Sequence, residues 1–258
     1  MDGGPRRVLD DQIAGAVNFR DIGGYPAMGG RVRWRQVYRA GFIHAITPAG
    51  LEQLVRSLRI RTVIDLRTPA ERQLGQLPLR GHGIRYHAAS LLETDNAPPH
   101  VQFAQVLAML RGSFDWAASY LALVRRSPEV LCQVFTLLAE PGALPALVHC
   151  SAGRDRTGIV IALLLAVLGV PAEQIAQDYA LSGELLLPHL HHFAGMAADL
   201  GLSTRELARL VETTPATMRA FLEGVVTTAG SAEGLLLASG VAPATLQTLR
   251  QRLIEPAA

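Results

Sequence analysis

Between Ala146 and Gly169 the chain passes from a short apolar run that reads as a strand, through ten small and charged residues, into an apolar stretch with no polar face. From Gly158 to Gly169 that stretch reads as a helix buried on most sides, and a helix buried in this way needs a sheet and further helices around it. The ten residues between are His149-Cys150-Ser151-Ala152-Gly153-Arg154-Asp155-Arg156-Thr157-Gly158. They lie where a strand ends and a helix begins, so unpaired backbone N–H groups and the helix dipole attract anions there.

The remaining pattern fits a layered α/β chain with a mostly parallel sheet, because β-branched runs alternate with helical periodicity. Arg31 to Tyr38 reads as an early strand. Thr47-Pro48 opens a helix carrying Leu51, Leu54, Val55 and Leu58 on one face. Thr62 to Leu66 reads as a strand with Asp65 near its C-terminal end, and Thr68-Pro69-Ala70-Glu71 has capping-box spacing for the next helix. A strand is expected at Ile84 to Ala88, an exposed loop at Asn96-Ala97-Pro98-Pro99, and helices over roughly 101–139 up to the turn Pro141-Gly142. After Val170-Pro171 the chain reads as helical with no strand, with a capping box at Ser203 and Glu206 and a helix start at Thr214-Pro215. With 258 residues and neither repeat nor low-complexity linker, residues 1–258 are expected to form a single domain carrying a helical C-terminal subdomain.

Cys150 and Arg156 carry the chemistry. Five residues separate them, enough for the backbone to curl around a tetrahedral oxyanion while the sulfur attacks and the guanidinium forks two oxygens. Ser151, Ala152 and Gly153 are small enough to allow that curl, and Arg154, Asp155 and Arg156 complete the expected phosphate-binding set. A cysteine at a helix N-terminus beside arginine favours the thiolate. Attack on a phosphate monoester then gives a phosphocysteine that water hydrolyses, a route that calls for neither cofactor nor metal.

The ten residues resemble the HCxxGxxRTG signature of the protein tyrosine phosphatase superfamily. Asn18-Phe19-Arg20-Asp21-Ile22-Gly23-Gly24, Tyr38-Arg39-Ala40-Gly41 and Val63-Ile64-Asp65-Leu66-Arg67 resemble the NFRDxGG, YRSG and DLR blocks of its bacterial branch of tyrosine and lipid phosphatases. The resemblance runs from about residue 13 to 253. Arg154 stands where that branch often has Lys. The resemblance implies a protein tyrosine phosphatase-like fold and substrates among phosphotyrosine, phosphoserine, phosphothreonine and phosphoinositides. It also implies a helical lid over roughly 184–230. Asp155 next to Arg156 resembles the CxxxxDR loop of phosphoinositide phosphatases, in which reading Arg154 contacts an additional phosphate. Two aspartates compete as general acid: Asp155, favoured by the resemblance, and Asp65, the alternative, away from the loop's arginines.

Other residues receive plainer readings. Cys132 is a small buried hydrophobe within a helix, and His149 a structural support of the loop. Arg20 and Asp21 fix the N-terminal segment by a salt bridge, and Phe193, Met196, Leu200, Met218 and Phe221 are more often core than ligand-binding. His189, His191 and His192 lack a nearby Cys or suitable carboxylate and read as a helix face, not a metal site. No basic tract or zinc-type spacing points to nucleic acid, and no apolar run is long enough to span a bilayer. Two cysteines and no signal peptide suit the cytoplasm, although export without a signal peptide leaves no mark in a sequence. The competing function is a pseudophosphatase that binds phosphoprotein or phospholipid without turnover; sulfur transfer is a second, less suited to this loop length.

Overall fold

The structure, a computed structural model, describes residues 7–9, 13–73, 75, 79, 81–91, 109, 111–112 and 114–257. Five strands form the central sheet: β1 (Val17–Asp21), β4 (Val37–Gly41), β5 (Thr62–Asp65), β6 (Arg85–Ala88) and β7 (Ala146–His149), in the order β1-β4-β7-β5-β6. β4, β7, β5 and β6 run parallel, and β1 joins antiparallel to β4. Every residue of β1, β4, β5 and β7 is buried, as expected of a sheet covered on both faces.

Alternation along the strands divides the core. Ile64 and Val148 point into one large cluster with Leu131, Phe135, Ile161 and Leu246, whereas their neighbours Val63 and Leu147 pack on Leu54 of α1 (Pro48–Arg56). The large cluster draws on α3 (Trp116–Arg126), α4 (Pro128–Ala139), α5 (Asp155–Val167), α6 (Ala172–Leu186), α9 (Pro215–Ala229), α10 (Ala232–Ala238) and α11 (Pro243–Leu253). The helix read from Gly158 in fact starts at Asp155, which puts Asp155 and Arg156 in its first turn.

Three expectations change. The run from Arg31 to Tyr38 is two strands, β3 (Gly30–Val32) and β4, in different sheets. The break is clamped by Asp21, whose carboxylate accepts from the N–H of Gly23 and of Arg35, each at 2.8 Å, with Arg35 left-handed at φ 59°. Burial pushes the Asp21 carboxyl up to about 6 against those two backbone bonds. Second, a strand does occur near the C-terminus: β8 (Ile254–Pro256) pairs with β3, which also pairs with β2 (Pro26–Ala27). Three residues carry no period to read, and pairing alone defines that strand. Third, Met218 and Phe221 are fully buried, Phe221 packing edge-on against Tyr120, so the latter part of 184–230 is core.

The capping boxes at α2 (Pro69–Gln73) and α8 (Thr204–Val211) form as their spacing predicts. Between α6 and α7 (Ala194–Leu200) the chain runs through a 3-10 stretch, Leu187–Phe193, broken at His189. The expected loop at Asn96 to Pro99 and the start of the helices at 101 lie outside the described residues. Among the described residues no helix is long and apolar enough to cross a membrane.

Candidate active site

Cys150 follows the last residue of β7, is only 2% exposed, and lies five residues before the start of α5. The loop it opens is pressed against the ends of β1 and β4. Phe42 donates its N–H to the carbonyl of Ser151 (2.5 Å), Asn18 donates Nδ2 to that of Ala152 (2.9 Å), and Arg39 donates Nη2 to that of Gly153 (2.8 Å). The approach leaves no room for side chains. A Cβ on Gly153, which sits at φ +70°, would fall 2.4 Å from the carbonyl oxygen of Ala40, and one on Gly41 would fall 2.3 Å from that of Ala152. Three loop carbonyls are thus turned to fixed donors, while the N–H groups of Ser151, Ala152, Gly153 and Arg154 donate to no described residue. Together with the orphan N–H groups of the first turn of α5 they form a cradle for an oxyanion.

Behind the loop lies a buried ion cluster. Asp178, on α6, accepts from Arg20 Nε (3.0 Å), Arg39 Nη1 (2.6 Å) and the Tyr25 hydroxyl (3.2 Å). Arg20 also donates to Ser182 Oγ at 3.0 Å. Burial alone would raise the Asp178 carboxyl, but the charges of Arg20 and Arg39 bring it down to about 2. Burial, then the like charge of Arg20, lowers Arg39 to about 10. The cluster couples β1, β4 and α6 to the loop through Arg39.

Arg156 donates Nη1 and Nη2 to the two carboxylate oxygens of Glu71, both at 2.6 Å. Glu71 Oε1 also accepts from Ser151 Oγ (2.5 Å), and Oε2 from the Thr68 N–H (2.8 Å) that closes the capping box. Burial would raise Glu71, yet the bonds and charge of Arg156 hold it at about 2. One carboxylate therefore caps α2 and orients the guanidinium. Glu71→Gln keeps the cap but not the charged fork, so kcat/KM on an aryl phosphate should fall about tenfold, and inhibition by inorganic phosphate should weaken in parallel. Unchanged values for both would mean that Arg156 is oriented without Glu71.

Asp155 and Arg154 pair at the mouth of the loop. Arg154 Nε donates to both Asp155 oxygens (3.0 and 3.1 Å), its Nη1 donates to the Leu210 carbonyl, and its guanidinium lies 4.7 Å from the centre of the Trp116 ring. Asp155 also accepts from the Tyr120 hydroxyl, which is 2.7 Å from that of Tyr179. The Arg154 side chain is largely buried, with Nε and Nη1 engaged and only Nη2 left without a described partner. The Asp155 side chain is 30% exposed, whereas Asp65 is sealed at 0%. Asp65 accepts from Arg67 Nη2 (2.8 Å) and the Tyr86 hydroxyl (2.7 Å). Burial opposes but does not overcome the Arg67 and Tyr86 bonds and the nearby His149, and its carboxyl stays below the usual range. His149 is fully buried, with Nδ1 3.2 Å from the Cys150 carbonyl, and burial holds its ring down at about 4.

A cavity of about 680 Å³ opens beside the loop, between Ser151, Arg67 and Glu71 on one side and His192, Phe193 and Leu200 on the other. A sequence model of the tyrosine phosphatase family matches residues 12–255. The chain belongs to that family. A tyrosine-protein phosphatase of Nostoc commune is 30% identical over 228 residues, covering 83% of this chain and 73% of its own. The triple specificity protein phosphatase PtpB of Mycobacterium tuberculosis is 27% identical over 278 residues, covering 94% and 98%. The protein is thus a cysteine-dependent, protein tyrosine phosphatase-like enzyme, and the resemblance drawn from its loop and N-terminal blocks holds.

Sequence reasoning assembled the phosphatase loop but missed its supports. Glu71 was read only as a helix cap, Arg39 only as part of a block, and Asp178 and Ser182 not at all. Arg20 does form a salt bridge, but to α6. A charged residue at helical spacing from Ile175 and Leu186, on the buried face of α6, was the available signal for Asp178.

Proposed function

We propose that this phosphatase hydrolyses phosphotyrosine and related monoesters with Cys150 as nucleophile and Arg156 as the phosphate fork. The observation that carries the reading is the cradle: a buried Cys150 beneath undonated loop N–H groups, with Arg156 held by Glu71. In the first step the Cys150 sulfur attacks phosphorus, the P–O bond to the leaving group breaks, and that oxygen takes a proton. In the second, water attacks the phosphocysteine, the P–S bond breaks and phosphate leaves. The loop N–H groups and Arg156 stabilise charge on the transferring phosphoryl in both. Hydrolysis of phosphotyrosine peptide, phosphoserine peptide and a phosphoinositide panel, with EDTA present, tests the proposal; binding without turnover by the folded wild type would instead favour a pseudophosphatase. The relative named a triple specificity protein phosphatase supports testing substrates beyond phosphotyrosine.

Asp155 is the proposed acid, because it alone of the two candidates is partly exposed and at the helix start. Its oxygens accept from Arg154 and Tyr120, so delivering a proton requires one of these contacts to open. Asp155→Asn should lower kcat by about a hundredfold on alkyl phosphates and far less on a nitrophenyl ester, whose leaving group needs little protonation. Equal losses across leaving groups would remove Asp155 from that role. The proposed lid narrows to Leu187–Leu200, where Phe193 meets Phe42 edge-on at 4.9 Å. A cytoplasmic site is the reading that two free cysteines favour.

A further inference from the structure

The three histidines lie on the 3-10 stretch Leu187–Phe193, His189 and His192 half-buried and His191 exposed. His189 and His192 lie face to face, 27° between planes with centroids 6.1 Å apart. The backbone leaves the helical region at His189 (φ −113°, ψ 22°), and His191 joins them, its ring centroid 4.2 Å from that of His192. One ring nitrogen from each lies within 4.8 Å of the other two. No ring nitrogen of the three makes a hydrogen bond to a described residue. His192 is fixed from behind by stacking on Phe42 at 4.7 Å, and His44 stands edge-on to it.

We propose that His189, His191 and His192 form a site for a divalent transition metal, zinc above all, at the edge of the cavity beside the phosphatase loop, which His192 lines. Three neutral imidazoles suit Zn²⁺, Co²⁺, Ni²⁺ or Cu²⁺ and not Mg²⁺ or Ca²⁺, which take oxygen ligands. Three protein ligands leave a fourth position of a tetrahedral ion open. Because His192 lines the cavity shared with Ser151 and Glu71, a bound ion adds positive charge where an anionic substrate enters. It also ties the Leu187–Phe193 stretch into one conformation. The site is separate from Cys150, whose chemistry proceeds without it.

The test uses tag-free protein carrying Cys150→Ser, so that a thiolate cannot ligate the probe, and titrates it with Co²⁺ and with Zn²⁺. One Co²⁺ per chain is expected, with visible d–d bands and no sulfur-to-cobalt charge transfer, and zinc should raise the melting temperature. Adding His191→Ala, at an exposed position that leaves the core untouched, should weaken binding by at least about tenfold and remove the thermal shift. Adding His189→Ala should do the same. Absence of micromolar binding, or binding that survives both substitutions, would overturn the proposal.

Discussion

Cys150→Ser is expected to leave a folded protein whose turnover has fallen at least about a thousandfold, since a hydroxyl oxygen is a far weaker nucleophile than a cysteine sulfur in the same position. The change is nearly isosteric at a buried site, so melting temperature should shift little. Anion binding should survive. The loop N–H groups and the Arg156–Glu71 fork are untouched. Turnover of phosphotyrosine peptide and phosphate binding by calorimetry read the two halves separately. Residual turnover within tenfold of the wild type would rule out the covalent route.

The second large effect is structural. Asp178→Ala leaves Arg20 and Arg39 buried without their carboxylate, and breaking a buried pair in this way costs about 3–5 kcal/mol, roughly 10 °C or more of melting temperature for a chain of this size. Because Arg39 also holds the Gly153 carbonyl, activity should fall even at temperatures where the variant is folded. A melting temperature within a degree or two of the wild type would mean that the cluster contributes little. The same carboxylate gives a pH signature. Its folded pKa, about 2, lies below the ordinary 3.8, so the unfolded chain binds more protons between those values. The stabilisation is present above about pH 4 and is lost as pH falls towards 2. Glu71, lowered from 4.5 to about 2, acts in the same window. Asp178→Asn should therefore flatten the fall in melting temperature between about pH 5 and 2, and an unchanged slope would contradict this account.

What could be read from the sequence was what is contiguous in it. The strand, loop and buried helix around Cys150 are one uninterrupted segment, and caps such as Thr68 with Glu71 span three residues, so spacing reveals both. The site's supports are not contiguous. Glu71 meets Arg156 across 85 residues, Arg39 meets Asp178 across 139 and Arg20 meets it across 158. Glu71 and Arg39 each had a sufficient local explanation that concealed the distant partner, and Asp178 drew no reading. The division between β3 and β4 was hidden for a related reason: the turn depends on Asp21 and on a left-handed Arg35, a residue type that does not announce a turn.

The buried cluster behind the loop also bears on when the enzyme becomes an enzyme. Its members come from the first strand, the fourth strand and a helix that follows the loop in sequence, so a growing or partly unravelled chain lacks the anchored Arg39 until the ends of that span have met. A nascent chain that has already made Cys150 and Arg156 still lacks Asp178. Competence therefore arrives together with cooperative closure of the fold rather than with the residues that do the chemistry.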